Sequence, residues 1–267
     1  MAFLSGSLSS SYETQETSSM SHRAALSRFP RRAVLLWTLW AWSLAALGIA
    51  CGAPLPAGEQ KGAVTARKPA NVMSHEGAAW LEREGRDQEE KPEVVLAEMG
   101  LKEGMTVAEI GAGTGYFARR IAKVIGPTGK VLAVDIQPEM LELLEKYTAE
   151  EGVKNVVPVL GTETDPKLPK AGVDRILMVD VYHEFQKPEE MLARIRESLA
   201  PGGRVILVEY RAEGDSAAHI NAAHRMSAEQ VLAEWNPAGF ELVNRVETLP
   251  SQHLFIFTTR RGARAVP

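Results

Sequence analysis

The most constraining stretch of this chain is Val107-Ala-Glu-Ile-Gly-Ala-Gly-Thr-Gly-Tyr116. A short apolar run reads as a strand. Gly111, Gly113 and Gly115 follow at every second position, and a helical pattern starts at once. Glycine lets the backbone turn tightly and lets a ligand approach it closely. Twenty residues beyond Gly115, a second strand candidate over 130–134 ends in Asp135. Strand, glycine turn, helix, strand and terminal carboxylate form the layout of a nucleoside-cofactor site.

The residue types sharpen this. A carboxylate at Asp135 can accept hydrogen bonds from both ribose hydroxyls of an adenosine. Ile136 can pack on the adenine face or belong to the core. The dinucleotide fingerprint needs glycine at 116, so Tyr116 argues against a pyrophosphate and against a nicotinamide-dependent oxidoreductase. A P-loop is excluded, because no Gly-Lys-Ser/Thr follows.

The surrounding pattern alternates. Strands are expected over 106–110, 130–134, 156–160, 174–179 and 204–208, with helices over 116–124, 138–150 and 189–199 between them. Several of these strands are continuously apolar, as in a parallel sheet covered on both faces. Helices are also expected over 74–84, with Ser74 as cap, and over 92–98. The last third changes: a helix over 227–235 precedes strands over 240–246 and 254–259 that leave no room for a helix between them. An α/β fold with a two-strand antiparallel ending on a mostly parallel sheet is the simplest topology.

Glu109-Ile-Gly-Ala-Gly-Thr-Gly115, Val134-Asp135, Asp180-Val-Tyr-His-Glu184 and Leu199-Ala-Pro-Gly-Gly-Arg204 together resemble a class I S-adenosylmethionine-dependent methyltransferase, from about Ala79 to Thr259. The resemblance implies a Rossmann-like seven-stranded sheet, order 3-2-1-4-5-7-6, with helices on both faces and an antiparallel final strand. It implies S-adenosylmethionine as cofactor and methyl transfer to a small-molecule acceptor. Gly111, Gly113 and Gly115 would shape the loop under the methionine part of the cofactor, steadied by Glu109. Asp135 would hold the ribose. The family often has an aspartate near the adenine amino group; Gly161-Thr162-Glu163 stands there instead, so Thr162 or Glu163 would substitute. Asp180 would face the methionine or the transferred methyl.

A sulfonium methyl is already electrophilic, so the protein mainly aligns the acceptor and excludes water. A base is needed only where the acceptor loses a proton. His183, three residues past Asp180, is the candidate, since an imidazole titrates near neutrality. His219, His224 and Arg225 fall in the segment expected to line the acceptor pocket, as do Tyr210 and Arg211. His219-x4-His224 is not the spacing of a helical ligand pair, and although His183 with these two could bind a metal, no metal site is expected. A net charge of -4 and the absence of a basic track argue against nucleic acid.

The N-terminal part points elsewhere. Residues 1–32 read as a disordered, then basic, leader with Arg23, Arg28, Arg31 and Arg32. Residues 33–50 carry no charge and contain three tryptophans. As a helix they would reach roughly 27 Å, enough for a thin bilayer. Leu47-Gly-Ile-Ala-Cys51 resembles a bacterial lipoprotein cleavage box, with Cys51, the single cysteine, as the lipidated residue. A cleaved lipoprotein signal and an uncleaved anchor both fit, and both predict membrane association. Residues 51–72 read as a flexible tether, 73–260 as the methyltransferase-like domain and 261–267 as a tail. Export conflicts with a cytosolic cofactor. The rival reading is therefore an exported adenosyl-ligand-binding or non-catalytic lipoprotein.

Overall fold

The computed structural model describes residues 67–260. Strands β1 (Thr106–Ile110), β2 (Lys130–Asp135), β3 (Val156–Leu160), β4 (Val173–Val179), β5 (Leu199–Tyr210), β6 (Phe240–Val246) and β7 (Gln252–Thr259) form one sheet. Their order is β3-β2-β1-β4-β5-β7-β6. β1 to β5 pair in parallel, whereas β7 is antiparallel to both β5 and β6. The helices are α1 (Arg86–Glu90), α2 (Pro92–Met99), α3 (Tyr116–Ile125), α4 (Pro138–Glu150), α5 (Pro188–Ser198) and α6 (Ala228–Trp235). The expected fold class and strand order are both present.

Side chains alternate across a strand, and here both faces are apolar. Ala108, Ile176, Val205 and Leu207 feed one buried cluster, while Val107, Leu177, Ile206 and Val208 feed the other. Such strands read as unbroken hydrophobic runs. Trp235, at the end of α6, is fully buried and stacks on Phe257 with centroids 4.4 Å apart, which fixes the antiparallel end of the sheet to α6.

Some elements differ from expectation. The Leu199-Ala-Pro-Gly-Gly turn is already part of β5: Val173 pairs with Leu199, and the register slips before Arg175 meets Arg204. Gly202, at φ +80°, lets the chain make that slip. The expected helix over 74–84 is a 3-10 helix, His75–Glu82, capped by Ser74 through the Glu76 amide. α1 was not expected, because Arg-Asp-Gln-Glu-Glu has no apolar period. Ion pairs hold it instead: Arg86 to Glu90 at 3.0 Å and Arg83 to Glu90 at 2.9 Å.

The end of the expected tether is packed on the domain. Arg67 donates to the carbonyls of His183 and Tyr182, both at 2.8 Å, and pairs with Glu234 at 3.1 Å. Ala70 N–H donates to His183 O at 3.0 Å.

The membrane-associated localisation is corrected. Among the described residues no helix is long and apolar enough to cross a membrane. The apolar segment 33–50, Cys51 and the tail 261–267 lie outside the described residues, so the fold carries no support for a lipid or transmembrane anchor.

Candidate functional site

The carboxyl ends of β1, β2 and β4 open onto one cavity of about 560 Å³. That is ample for a nucleoside-sized ligand. Gly111 and Gly113 form part of its wall, with Asp135, Ile136, Thr162 and Glu163 at one end and Asp180, His183, Tyr210 and His224 at the other.

The glycine loop is locked by the backbone. Gly111 and Ala112 N–H groups both donate to Val134 O at 2.9 Å. Gly111, Gly113 and Gly115 have φ of +73°, +52° and +82°. A Cβ on Gly111 would strike Val181, whose own Cβ would lie 2.8 Å away. Gly115 does not line the cavity. It precedes α3 and packs against Leu144. Its place is therefore in shaping the loop.

Asp135 joins this loop to its own turn. One carboxylate oxygen accepts from Gly113 N–H at 2.9 Å and the other from Gln137 N–H at 3.0 Å. Each oxygen retains a lone pair for a ligand hydroxyl. Burial raises its pKa, opposed by these backbone donors. Ile136, more than a third exposed, leans into the cavity rather than the core.

Glu109 lies beneath the loop, outside the cavity lining. It takes a hydrogen bond from the Ala118 amide in the first turn of α3, and its Oε2 has no partner. Burial pushes its carboxyl up to about 8, against Arg86 and Arg119. The folded state favours the protonated carboxyl, so the stability it confers is complete below about 4.5 and is lost as pH rises through about 8. Glu109→Gln is expected to flatten this dependence. Urea midpoints from pH 5 to 8 test it: the wild type should lose stability relative to the variant by a few kcal/mol. Parallel curves would refute the assignment.

Asp180 leaves β4 in the left-handed region, at φ +49°. A non-glycine residue there is uncommon and marks a position held by its surroundings. Its Oδ2 accepts from Gln252 Nε2 at 2.7 Å, while the buried Oδ1 has no partner. Burial, together with the neighbouring Glu90 and Glu209, pushes its pKa well above the carboxylate range.

His183 is 3% exposed. Its Nδ1 lies 2.6 Å from Glu209 Oε2, and its Nε2 lies 3.0 Å from His224 Nδ1. Glu209 is completely buried at the end of β5, and its other oxygen accepts from Tyr182 N–H at 2.8 Å. With both oxygens engaged, Glu209 receives Nδ1–H and leaves an Nε2 lone pair. Burial works to lower the His183 pKa, but the charge and hydrogen bond of Glu209 prevail, and the net direction is upward. Burial and the nearby His183 lower that of His224.

Not every sequence candidate belongs to this cluster. His219 is exposed and meets the ring of Tyr210 edge-on. Arg211 is tied to Glu247 and to the carbonyls of Glu247, Leu249 and Pro250, which makes it a strut between loops. Arg225 does not line the cavity, although Tyr210 does. Glu209 was missed in the sequence. A carboxylate ending the apolar run Val205-Ile-Leu-Val was its signal, since such groups are almost never fully buried without a partner.

A second missed feature covers the cavity. Asn71 to Met73, Trp80 and Leu81 form part of its lining. Gln137 grips this segment twice, donating to Met73 O at 2.9 Å and accepting from His75 N–H at 3.0 Å. Glu184 accepts from Met73 N–H at 3.1 Å. Tyr116, where a dinucleotide fold has glycine, donates to Asp87 and lies under the guanidiniums of Arg86 and Arg120.

The residues thus combine an open backbone cradle, a carboxylate with free lone pairs and an unpartnered buried oxygen on Asp180. This donor set fits an adenosyl cofactor with a cationic amino-acid end. Comparison with known proteins agrees. A family model described as a methyltransferase domain matches residues 101–249. A protein-L-isoaspartate O-methyltransferase of Methanothrix thermoacetophila is 33% identical over 109 residues, 41% of this chain and 49% of that protein. A ubiquinone/menaquinone biosynthesis C-methyltransferase of Cupriavidus taiwanensis is 30% identical over 115 residues, 43% of this chain and 47% of that protein. The chain thus spans about half the length of the curated relatives it matches. A crystal structure of an S-adenosylmethionine-dependent methyltransferase from Aquifex aeolicus shares 27% identity at a TM-score of 0.64, covering 70% of this chain and 98% of the other. With its topology, its glycine loop and more than half its length matched, the chain belongs to the class I S-adenosylmethionine-dependent methyltransferase family.

Proposed function

We propose that the protein transfers a methyl group from S-adenosylmethionine to a small, largely apolar acceptor carrying an ionisable X–H group. One observation carries the reading: a single cavity has the glycine loop and Asp135 on one side and His183, backed by the buried Glu209, on the other. When bound, the cofactor supplies an electrophilic methyl on sulfur.

The chain's own residues are assigned as follows. Asp135 holds the ribose hydroxyls, Ile136 lies against the adenine, and Thr162 and Glu163 border its edge. Gly111 and Gly113 let the amino-acid end approach the backbone. Gly115 and Glu109 keep that loop in shape. Asp180 offers its free oxygen to the amino-acid end or to the methyl. Met73, Leu81, Phe185 and Met191 make the cavity mostly apolar and exclude water. His183 Nε2 receives the acceptor's proton as the acceptor–methyl bond forms and the methyl–sulfur bond breaks, and Glu209 stabilises the resulting imidazolium. The relatives' names cover both oxygen and carbon methylation, so the acceptor is assigned here by cavity chemistry alone.

Calorimetry on the full chain tests this. S-adenosylmethionine and S-adenosylhomocysteine should both bind saturably in the micromolar range, and NAD should not. Asp135→Ala should weaken both by about 10- to 100-fold, equivalent to about 1.4–2.8 kcal/mol. No binding by folded wild-type protein, or unchanged affinity in the variant, would remove the assignment.

A further inference from the structure

His183 and His224 present ring nitrogens to each other at 3.0 Å, with ring planes 80° apart. Two lone pairs at that distance repel unless a proton or a cation lies between them. The Glu184 carboxylate completes the group. One donor atom from each of the three residues lies within 4.8 Å of the others, and all three residues line the cavity.

The surroundings are built as a ligand set requires. Metal-binding histidines almost always donate their second N–H to a carboxylate or carbonyl, which fixes the tautomer and strengthens the ligand. Glu209, fully buried, does this for His183 at 2.6 Å. Glu184 is also oriented from behind: Met73 N–H holds one of its oxygens at 3.1 Å and leaves the other for a ligand role. Two donors each about 2.0–2.2 Å from one ion lie roughly 3.0–3.5 Å apart. The imidazole pair already meets this. Glu184 reaches it with a shift of at most about 1.3–1.8 Å, within the swing of its side chain.

We propose that His183 Nε2, His224 Nδ1 and a Glu184 carboxylate oxygen bind one divalent transition-metal ion, with its remaining coordination positions facing the cavity. Imidazole and carboxylate without thiolate suit zinc or iron(II) better than the hard ions magnesium and calcium. The spacing of the three histidines gave no hint of this, because His219 is directed to Tyr210 and the third ligand is the carboxylate beside His183. Metal binding stands on side-chain geometry. Its consequence for catalysis rests on the methyl-transfer reading. In the metal-free protein the Nε2 lone pair takes the acceptor's proton. In the loaded protein that lone pair is a ligand, and an acceptor oxygen bound to the ion releases its proton to solvent. Acceptors with a coordinating oxygen would then be favoured.

Untagged full-length protein, stripped with chelator, would be titrated with Zn²⁺ by calorimetry and with Co²⁺ by visible absorption. One saturable equivalent is expected, with ligand-field bands of a site containing imidazole. His224→Ala and Glu184→Gln should each weaken Zn²⁺ at least tenfold, and His219→Ala should not. Circular dichroism on the same samples reports whether each variant is folded, and S-adenosylmethionine affinity is measured alongside. Absence of saturable metal binding in folded wild type, or wild-type affinity in His224→Ala, overturns the site. Metal binding without cofactor binding would instead remove the methyl-transfer reading and leave the metal site standing.

Discussion

Gly111→Ala is expected to cost the domain about 2–5 kcal/mol and to weaken S-adenosylmethionine at least tenfold. Two terms add. The residue sits at φ +73°, where a Cβ costs about 1–2 kcal/mol. The new methyl also overlaps Val181, and such overpacking costs about 1–3 kcal/mol. For a domain of this size the melting temperature should fall by about 4–20 °C. Adding Val181→Ala tests the steric term: it removes both Cγ contacts but leaves the Cβ at 2.8 Å, so the double variant should regain part of the steric loss and keep the backbone part. Gly113→Ala should be milder, because its Cβ would meet only the end of the Leu81 side chain. If Gly111→Ala melts with the wild type, the loop is not constrained as described.

The second large effect is on turnover. His183→Asn should lower methyl transfer by about 10²- to 10⁴-fold, the usual contribution of a positioned base. Asparagine can still donate toward Glu209, so the buried carboxylate keeps a partner and the fold is spared. The assay is S-adenosylhomocysteine formation with an acceptor found by screening. Added imidazole should restore part of the rate, and the affinity for S-adenosylmethionine should change little. A full-rate variant would show that His183 takes no proton. Loss of cofactor binding along with the rate would show that His183 only shapes the cavity.

Much of this architecture was legible because the two periodicities differ so sharply. The runs 131–134 and 205–208 are apolar at consecutive positions, and only strands buried on both faces need that. Pro138 and Pro188 mark the starts of α4 and α5, and Ser227 caps α6 through the Gln230 amide. Asp135 was found because a carboxylate ends an apolar strand at a fixed distance from the glycines. What escaped lacks local period. α1 is all polar and owes its helix to ion pairs. The pairing of His183 with His224 spans α5, β5 and a long loop, and no spacing rule encodes it. The docking of residues 67–72 escaped for the same reason: Arg67 and Ala70 resemble tether residues until the carbonyls they meet are known.

If the ties of that covering segment gate the cavity, ligand exchange becomes an intramolecular problem: a cofactor then enters or leaves only as fast as the chain near Met73 lets go of Gln137 and Glu184. Each release gives up a hydrogen bond of modest net value, so the opened form is a minor state rather than a forbidden one. Association should then saturate with cofactor concentration instead of rising linearly, and spent cofactor should depart at the same opening rate. With chemistry fast, the turnover number would measure the motion of a strap and not the reactivity of a sulfonium. Gln137→Ala, which cuts two of these ties while leaving Asp135 in place, would speed release.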